Sequence, residues 1–266
     1  MHRDNLLTFI TLLMILVSCS CKNQSPKSCP VESADTSSQS DICVVITHNS
    51  GLTIYDVPES SIYLLTGSHS PADYTVFVCT AAFTDVRGRV CGHYLDLDGS
   101  YVCNPKDKNI TGGFIVDRFI SGGQPYCRWS FFMDGYESEL KKGVLDERIS
   151  AAFAQNMIIY RGIVQDMSWR FHRGQYDIFK YRALCEIDQN LLIIESQNEM
   201  PYNEFVERLS GLDVYQAIYL DMGTYNYLWC RETYDNEPDK ANIITESGIN
   251  AHKISNKICF QIHAPE

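Results

Sequence analysis

Basic side chains are in short supply in this chain: 22 Lys and Arg stand against 33 Asp and Glu, for a formal charge of −11. Phosphate backbones are gripped mainly by Lys and Arg, so the balance argues against broad nucleic-acid binding, and an anionic ligand has to be met by a local basic cluster. Paired Cys-x-x-Cys spacing is missing, which removes the usual zinc-site signature, and no metal or cofactor is expected. There is no Gly-x-Ser-x-Gly elbow and no His-Glu-x-x-His motif, so serine hydrolases of that type and zincins lose their usual signature. The glycine pairs Gly112-Gly113 and Gly122-Gly123 are followed by neither the Lys-Ser/Thr of a P-loop nor a complete dinucleotide fingerprint, and they are read as loop openers. No repeat of solenoid length is visible.

Long apolar runs are also missing. Residues 6–17, preceded by Arg3, form an apolar stretch too short for a comfortable membrane span but of the size of a signal-peptide core. It ends in Leu16-Val17-Ser18-Cys19, which resembles a bacterial lipoprotein signal whose cleavage leaves Cys19 as a lipid-modified N-terminus. Residues 20–40 are crowded with Ser, Lys, Gln, Pro and Asp without apolar period, the composition of a tether that buries too little surface to offset ordering. The expected organisation is a signal peptide over 1–18, a lipidated N-terminus and tether over 19–40, and one domain over 41–266. Its place would be the bacterial cell envelope, lipid-anchored and facing away from the cytoplasm.

What is present in quantity is apolar: 45% of residues are hydrophobic, enough for a substantial core. Many short apolar runs rich in Tyr, Phe, Val and Ile lie between turn residues, and they predict an α+β domain with a mixed or antiparallel sheet and a few short helices. Strands are expected over 43–46, 52–57, 62–66, 76–83, 111–119, 126–133, 157–160, 178–187, 191–194, 217–220 and 258–262. Asn49-Ser50-Gly51, Asp98-Gly99, Arg161-Gly162 and Asp188-Gln189-Asn190 are the turns. Residues 137–154 have helical composition, split near Gly143. Tyr202, Phe205, Val206 and Leu209 recur at helical spacing behind Pro201, with Gly211 as a left-handed stop. Of the cysteines beyond Cys19, those at 43, 79, 185 and 259 sit in apolar strands, where a free thiol packs as a small hydrophobe.

The candidate site begins where the 217–220 strand stops, at Asp221, Met222, Gly223 and Thr224. A carboxylate at the end of a buried strand, followed by a glycine that lets backbone approach a ligand, is one way to build a site; a turn aspartate is the plainer alternative. Arg170, His172 and Arg173 precede the strand that holds Arg182, and together they form either an anion site or a solvated loop with one surface arginine. Glu195 ends another apolar strand, and two carboxylates flanking a sugar are the usual equipment for glycoside cleavage.

The order of these elements resembles the phosphodiester glycosidase family, which includes the mannose 6-phosphate uncovering enzyme. The residues that carry the likeness are Ala152-Phe153-Ala154-Gln155, Met157-Ile158-Ile159-Tyr160-Arg161-Gly162, Tyr181-Arg182-Ala183-Leu184 and Ala217-Ile218-Tyr219-Leu220-Asp221-Met222-Gly223-Thr224. Fainter matches lie at Thr80-Ala81-Ala82-Phe83, where the family has an asparagine followed by glycines, and at Ser255-Asn256-Lys257-Ile258. Arg182 runs directly into Ala183, and Met222 interrupts the family's glycine run. The resemblance implies hydrolysis of a sugar 1-phosphodiester at the glycosidic bond, with Arg182, Asp221 and Gly223 carried over and Thr224 as a looser match. The implied partner is a carbohydrate phosphodiester. The rival reading is a non-catalytic surface lipoprotein of the same fold that binds glycans or a protein.

Overall fold

The computed structural model describes residues 44–57, 61–66, 75–85, 87–96, 98–103, 110–121, 124–133, 143, 148–166, 178–223, 226–231, 243–247 and 256–261, all within the unit Ser40–Glu266. Cys19, the tether, Arg170, His172, Arg173, Thr224 and the pair Gly122-Gly123 lie outside these residues.

The strands run in chain order β1 (Val45–Asn49), β2 (Leu52–Asp56), β3 (Ser61–Thr66), β4 (Thr75–Cys79), β5 (His93–Leu95), β6 (Tyr101–Cys103), β7 (Gly112–Ser121), β8 (Gln124–Met133), β9 (Ile149–Gln155) and β10 (Met157–Tyr160). They continue with β11 (Ile163–Val164), β12 (Ile178–Phe179), β13 (Arg182–Ile187), β14 (Asn190–Ser196), β15 (Met200–Pro201), β16 (Gln216–Leu220), β17 (Tyr227–Arg231), β18 (Ile243–Ser247) and β19 (Asn256–Gln261). A nine-residue helix, α1 (Tyr202–Ser210), separates β15 from β16. A seven-stranded sheet is ordered β1-β2-β14-β13-β16-β10-β11 and two five-stranded sheets β18-β17-β4-β19-β3 and β6-β5-β9-β7-β8, with a short β12-β15 pair beside them. The α+β expectation is therefore wrong: the described chain is mostly β, in several antiparallel sheets.

One overturned element accounts for part of that error. Residues 149–154 are not helical but belong to β9, paired with β5 on one side and β7 on the other. Alanine favours helices intrinsically, yet Ala151, Ala152 and Ala154 are almost wholly buried there, and small side chains let layers approach across the strand. Gly112 is likewise inside β7 rather than opening a loop, and a Cβ at that position would stand 2.2 Å from the Phe132 carbonyl oxygen. The neighbouring strand comes too close for any side chain.

Strand alternation sorts the seven-stranded sheet into two faces. Leu184, Ile193, Ile218 and Leu220 point into the main core, where they join Phe77, Cys79, Leu228, Ile258 and Phe260 of the second sheet and Phe114 and Phe153 of the third. Ala183, Cys185, Ile194, Ala217 and Tyr219 point the other way, against Tyr202, Phe205, Val206 and Leu209 of α1. The helix is placed as its spacing requires, with Pro201 at the N-cap. Gly211 is not the left-handed stop: it sits at φ −70°, donating its N–H to the Glu207 carbonyl, and the left-handed residue is Asp213 at φ 56°. Cys79, Cys185 and Cys259 are free thiols buried in strands, Cys230 is buried in β17, and Cys43 lies outside the described residues. Among the described residues no helix is long and apolar enough to cross a membrane.

Candidate functional site

The ends of β4, β9 and β16 and the starts of β13, β17 and β19 meet around the segment Thr80-Ala81-Ala82. Its backbone is satisfied almost entirely by distant partners. The Ala81 and Ala82 N–H groups donate to Asn256 Oδ1 at 3.1 and 2.6 Å, and Asn256 Nδ2 returns a bond to the Ala82 carbonyl at 3.1 Å. The Ala81 carbonyl accepts from the Asp221 N–H at 3.1 Å and, more loosely, from Gln155 Nε2 at 3.4 Å. The Thr80 N–H donates to the Tyr227 carbonyl at 3.1 Å. Asn256 and Gln155 are wholly buried, where each unmade bond would cost about 1–3 kcal/mol, so this segment fixes where β16 ends and β17 begins.

Asp221 thus leaves the sheet in a defined position. It is 6% exposed, and it is followed by half-buried Met222 and exposed Gly223, so it stands at the boundary between core and solvent. Its Oδ1 accepts the Gly223 N–H at 2.9 Å, an Asx-type turn, and its Oδ2 accepts from Thr84 Oγ1 at 3.4 Å. Phe83 packs its ring against Tyr219 at 5.2 Å between centroids, closing the apolar side of this corner. Asn156, adjoining Gln155, is fully buried; its carbonyl accepts the Tyr219 N–H at 2.9 Å, while neither atom of its side-chain amide meets a hydrogen-bond partner among the described residues.

Arg182 opens β13, with Glu195 of β14 on one side and Leu220 of β16 on the other in direct register. The register brings Arg182 beside the residue that precedes Asp221. Its guanidinium is completely buried. Nε donates to Glu195 Oε2 at 2.7 Å, and Nη2 stands 2.5 Å from the same oxygen, adding ion-pair attraction without a well-aligned hydrogen bond. Nη1 donates to Asn226 Oδ1 and to the Tyr227 carbonyl, each at 3.0 Å. Burial alone would pull the guanidinium down, but the Glu195 charge and its hydrogen bond more than offset this and hold the group above its ordinary value. Lys180, at the edge of the same pair, lies 4.0 Å from the other Glu195 oxygen. The neighbouring Cys79 thiol is pushed up to about 12, chiefly by burial, with Arg182 pulling it back and Glu195 raising it; it is a packed thiol, not a nucleophile.

The structure therefore brings Arg182 and Glu195 into contact and puts Asp221 and Gly223 at the end of the adjoining strand. Asn256, Gln155, Asn226 and Thr84 are the participants that sequence reasoning did not single out as site residues; the signals were the matches at Ala152-Phe153-Ala154-Gln155 and, more faintly, Ser255-Asn256-Lys257-Ile258. Among the described residues no group of three or more His, Cys, Asp or Glu side chains is arranged to hold a metal ion.

No sequence-family profile matches the chain, and no curated protein sequence matches it. Among solved structures it is similar to the catalytic domain of zebrafish N-acetylglucosamine-1-phosphodiester alpha-N-acetylglucosaminidase, auto-inhibited by its pro-peptide, with a TM-score of 0.53 and 12% identity over 87% of each chain. Across most of its length, then, the chain shares the fold of that catalytic domain, and at this identity the likeness shows the fold alone.

Proposed function

We propose that this protein hydrolyses a sugar 1-phosphodiester at the glycosidic bond, with Asp221 as the group that acts at the sugar. The observation that carries the reading is the corner itself: Asp221 stands at the end of a core strand with its backbone N–H held by the Ala81 carbonyl and its carboxylate accepting the Gly223 N–H, and exposed Gly223 leaves room beside it, on a fold shared with a phosphodiester glycosidase. In the reaction, water adds to the anomeric carbon, the bond from that carbon to the phosphate oxygen breaks, and the phosphomonoester leaves with the electron pair. Asp221 takes the proton from water or stabilises the oxocarbenium-like centre. Phosphate is already a good leaving group, so little general-acid help is required. Gly223, Thr224, Arg170, His172 and Arg173 complete the proposed site, the basic residues serving the phosphate, and Glu195 stands behind it as the counter-charge of Arg182.

Asp221→Asn keeps the shape and removes the charge, so release of free sugar from a sugar-1-phosphate diester by the purified full chain should fall by about a hundredfold or more. An unchanged rate would remove Asp221 from the chemistry. A binding protein of the same fold is the second reading, and Thr80 in place of the family's asparagine favours it. No turnover across a panel of such diesters, together with glycan binding that survives Asp221→Asn, would establish that reading instead.

Export and lipid anchoring through Cys19 belong to the same proposal, with a cell-envelope location. Cys19→Ala should release the protein from membranes or block its maturation. A variant that stays membrane-bound through a carbonate wash would refute the anchor.

A further inference from the structure

We infer that Arg182 is a positioning residue that holds Asn226 and Tyr227, and through Asn226 the Gly223 turn beside Asp221, not a residue that grips the phosphate. The inference rests on the reading of Asp221 as the acting group. A phosphate-binding arginine needs donors that face solvent, and Arg182 has none to offer: it is completely buried, Nε and Nη2 are turned to Glu195, and Nη1 is divided between Asn226 Oδ1 and the Tyr227 carbonyl. The contacts instead tie two sheets together. Glu195 belongs to β14 of the seven-stranded sheet, whereas Tyr227 opens β17 of a five-stranded one.

The hydrogen bonds around Asp221 and Tyr227 explain what this accomplishes. The Asp221 N–H meets the Ala81 carbonyl, and the Tyr227 carbonyl receives both Arg182 Nη1 and the Thr80 N–H. Between them the Asn226 N–H donates to the Gly223 carbonyl at 2.9 Å, and the Gly223 N–H to Asp221 Oδ1 at 2.9 Å. Hydrogen bonds therefore connect Glu195 to Arg182, the Arg182 guanidinium to the Asn226 side chain, the Asn226 backbone N–H to the Gly223 carbonyl, and the Gly223 N–H to the Asp221 carboxylate. A planar guanidinium can serve a carboxylate along one edge and two oxygens along another, which an ammonium cannot. Glu195 acts at one remove further, by fixing the guanidinium.

These connections are tested at Asn226, which is half-buried and whose substitution leaves the Arg182–Glu195 pair intact. Asn226→Ala should speed amide exchange at Gly223 and at position 226 by about tenfold or more, and lower kcat on a sugar-1-phosphate diester by about tenfold to a hundredfold with KM held within about twofold, as misplacement of a reacting group does. Asn226→Asp keeps the acceptor for Nη1 and should restore both. Arg182→Lys should show the same pattern as Asn226→Ala, with exchange and kcat affected and KM spared. Unchanged exchange in Asn226→Ala, or a rise in KM with kcat preserved in Arg182→Lys, would overturn the inference. If the wild-type protein turns over no diester, the hydrolase reading fails while the exchange measurements still decide whether Arg182 holds the Gly223 turn.

Discussion

Deleting the Glu195 carboxylate, as in Glu195→Ala, would leave the Arg182 guanidinium as a charge with no counter-ion in a site of no solvent exposure. With nitrogens 2.5 and 2.7 Å from one carboxylate oxygen, the charge centres lie about 4 Å apart, and at an effective dielectric near 20 their attraction is about 4 kcal/mol. Removing one partner of a buried pair costs about 3–5 kcal/mol by the same physics, because the survivor loses its compensation and regains no water. Lys180 adds little to this, since it is 38% exposed and 4.0 Å from the carboxylate. The loss should appear as a fall of about 2 M in the urea midpoint for a slope of about 2 kcal/mol/M. The double variant Arg182→Met with Glu195→Met should recover much of it, since replacing a buried pair with apolar side chains of similar volume is often neutral. Recovery will be incomplete, because the Tyr227 carbonyl keeps only its bond from the Thr80 N–H. A loss below about 1 kcal/mol in Glu195→Ala, or a double variant less stable than the single, would refute this account of the pair.

Two further stability effects follow from burial. Phe205 is fully buried and stacks on Tyr181 at 5.4 Å, so Phe205→Ala should cost about 3–5 kcal/mol, and an unchanged urea midpoint would mean that α1 presents another face to the sheet. Asn156→Leu removes a buried amide without partners among the described residues and keeps its approximate shape, so it should stabilise by about 1–3 kcal/mol in thermal unfolding; a loss exceeding about 1 kcal/mol would show that the amide is bonded.

Local signals carried a good part of the architecture. The spacing of Tyr202, Phe205, Val206 and Leu209 needs no tertiary partner to define a helical face, and those four residues are the ones buried in α1. The two-residue turns were equally legible. Ser50 and Gly51, Arg161 and Gly162, and Asp188 and Gln189 all take positive φ, as tight hairpins require. Arg182 and Glu195 were within reach of sequence reasoning because they flank one hairpin, and a hairpin's register places its ends opposite each other.

What the sequence did not disclose depends on which distant segments meet. Ile149–Gln155 has the composition of a helix and becomes a strand because β5 and β7 are there to pair with it. Tyr227–Arg231 and Ile243–Ser247 carry too little local pattern to announce themselves, and pair with each other and, through Leu228, Trp229 and Cys230, with β4. Asn256 shows the limit most clearly: nothing beside it in the chain needs an amide, and its partners Ala81 and Ala82 lie some 174 residues away. Residue type and spacing determined the helix, the turns and the carboxylate at the strand end. Only the tertiary structure decided that Arg182 is buried against Glu195 and what holds Asp221 in place, because hydrogen bonds between sheets are set by packing and leave no periodic trace in the chain.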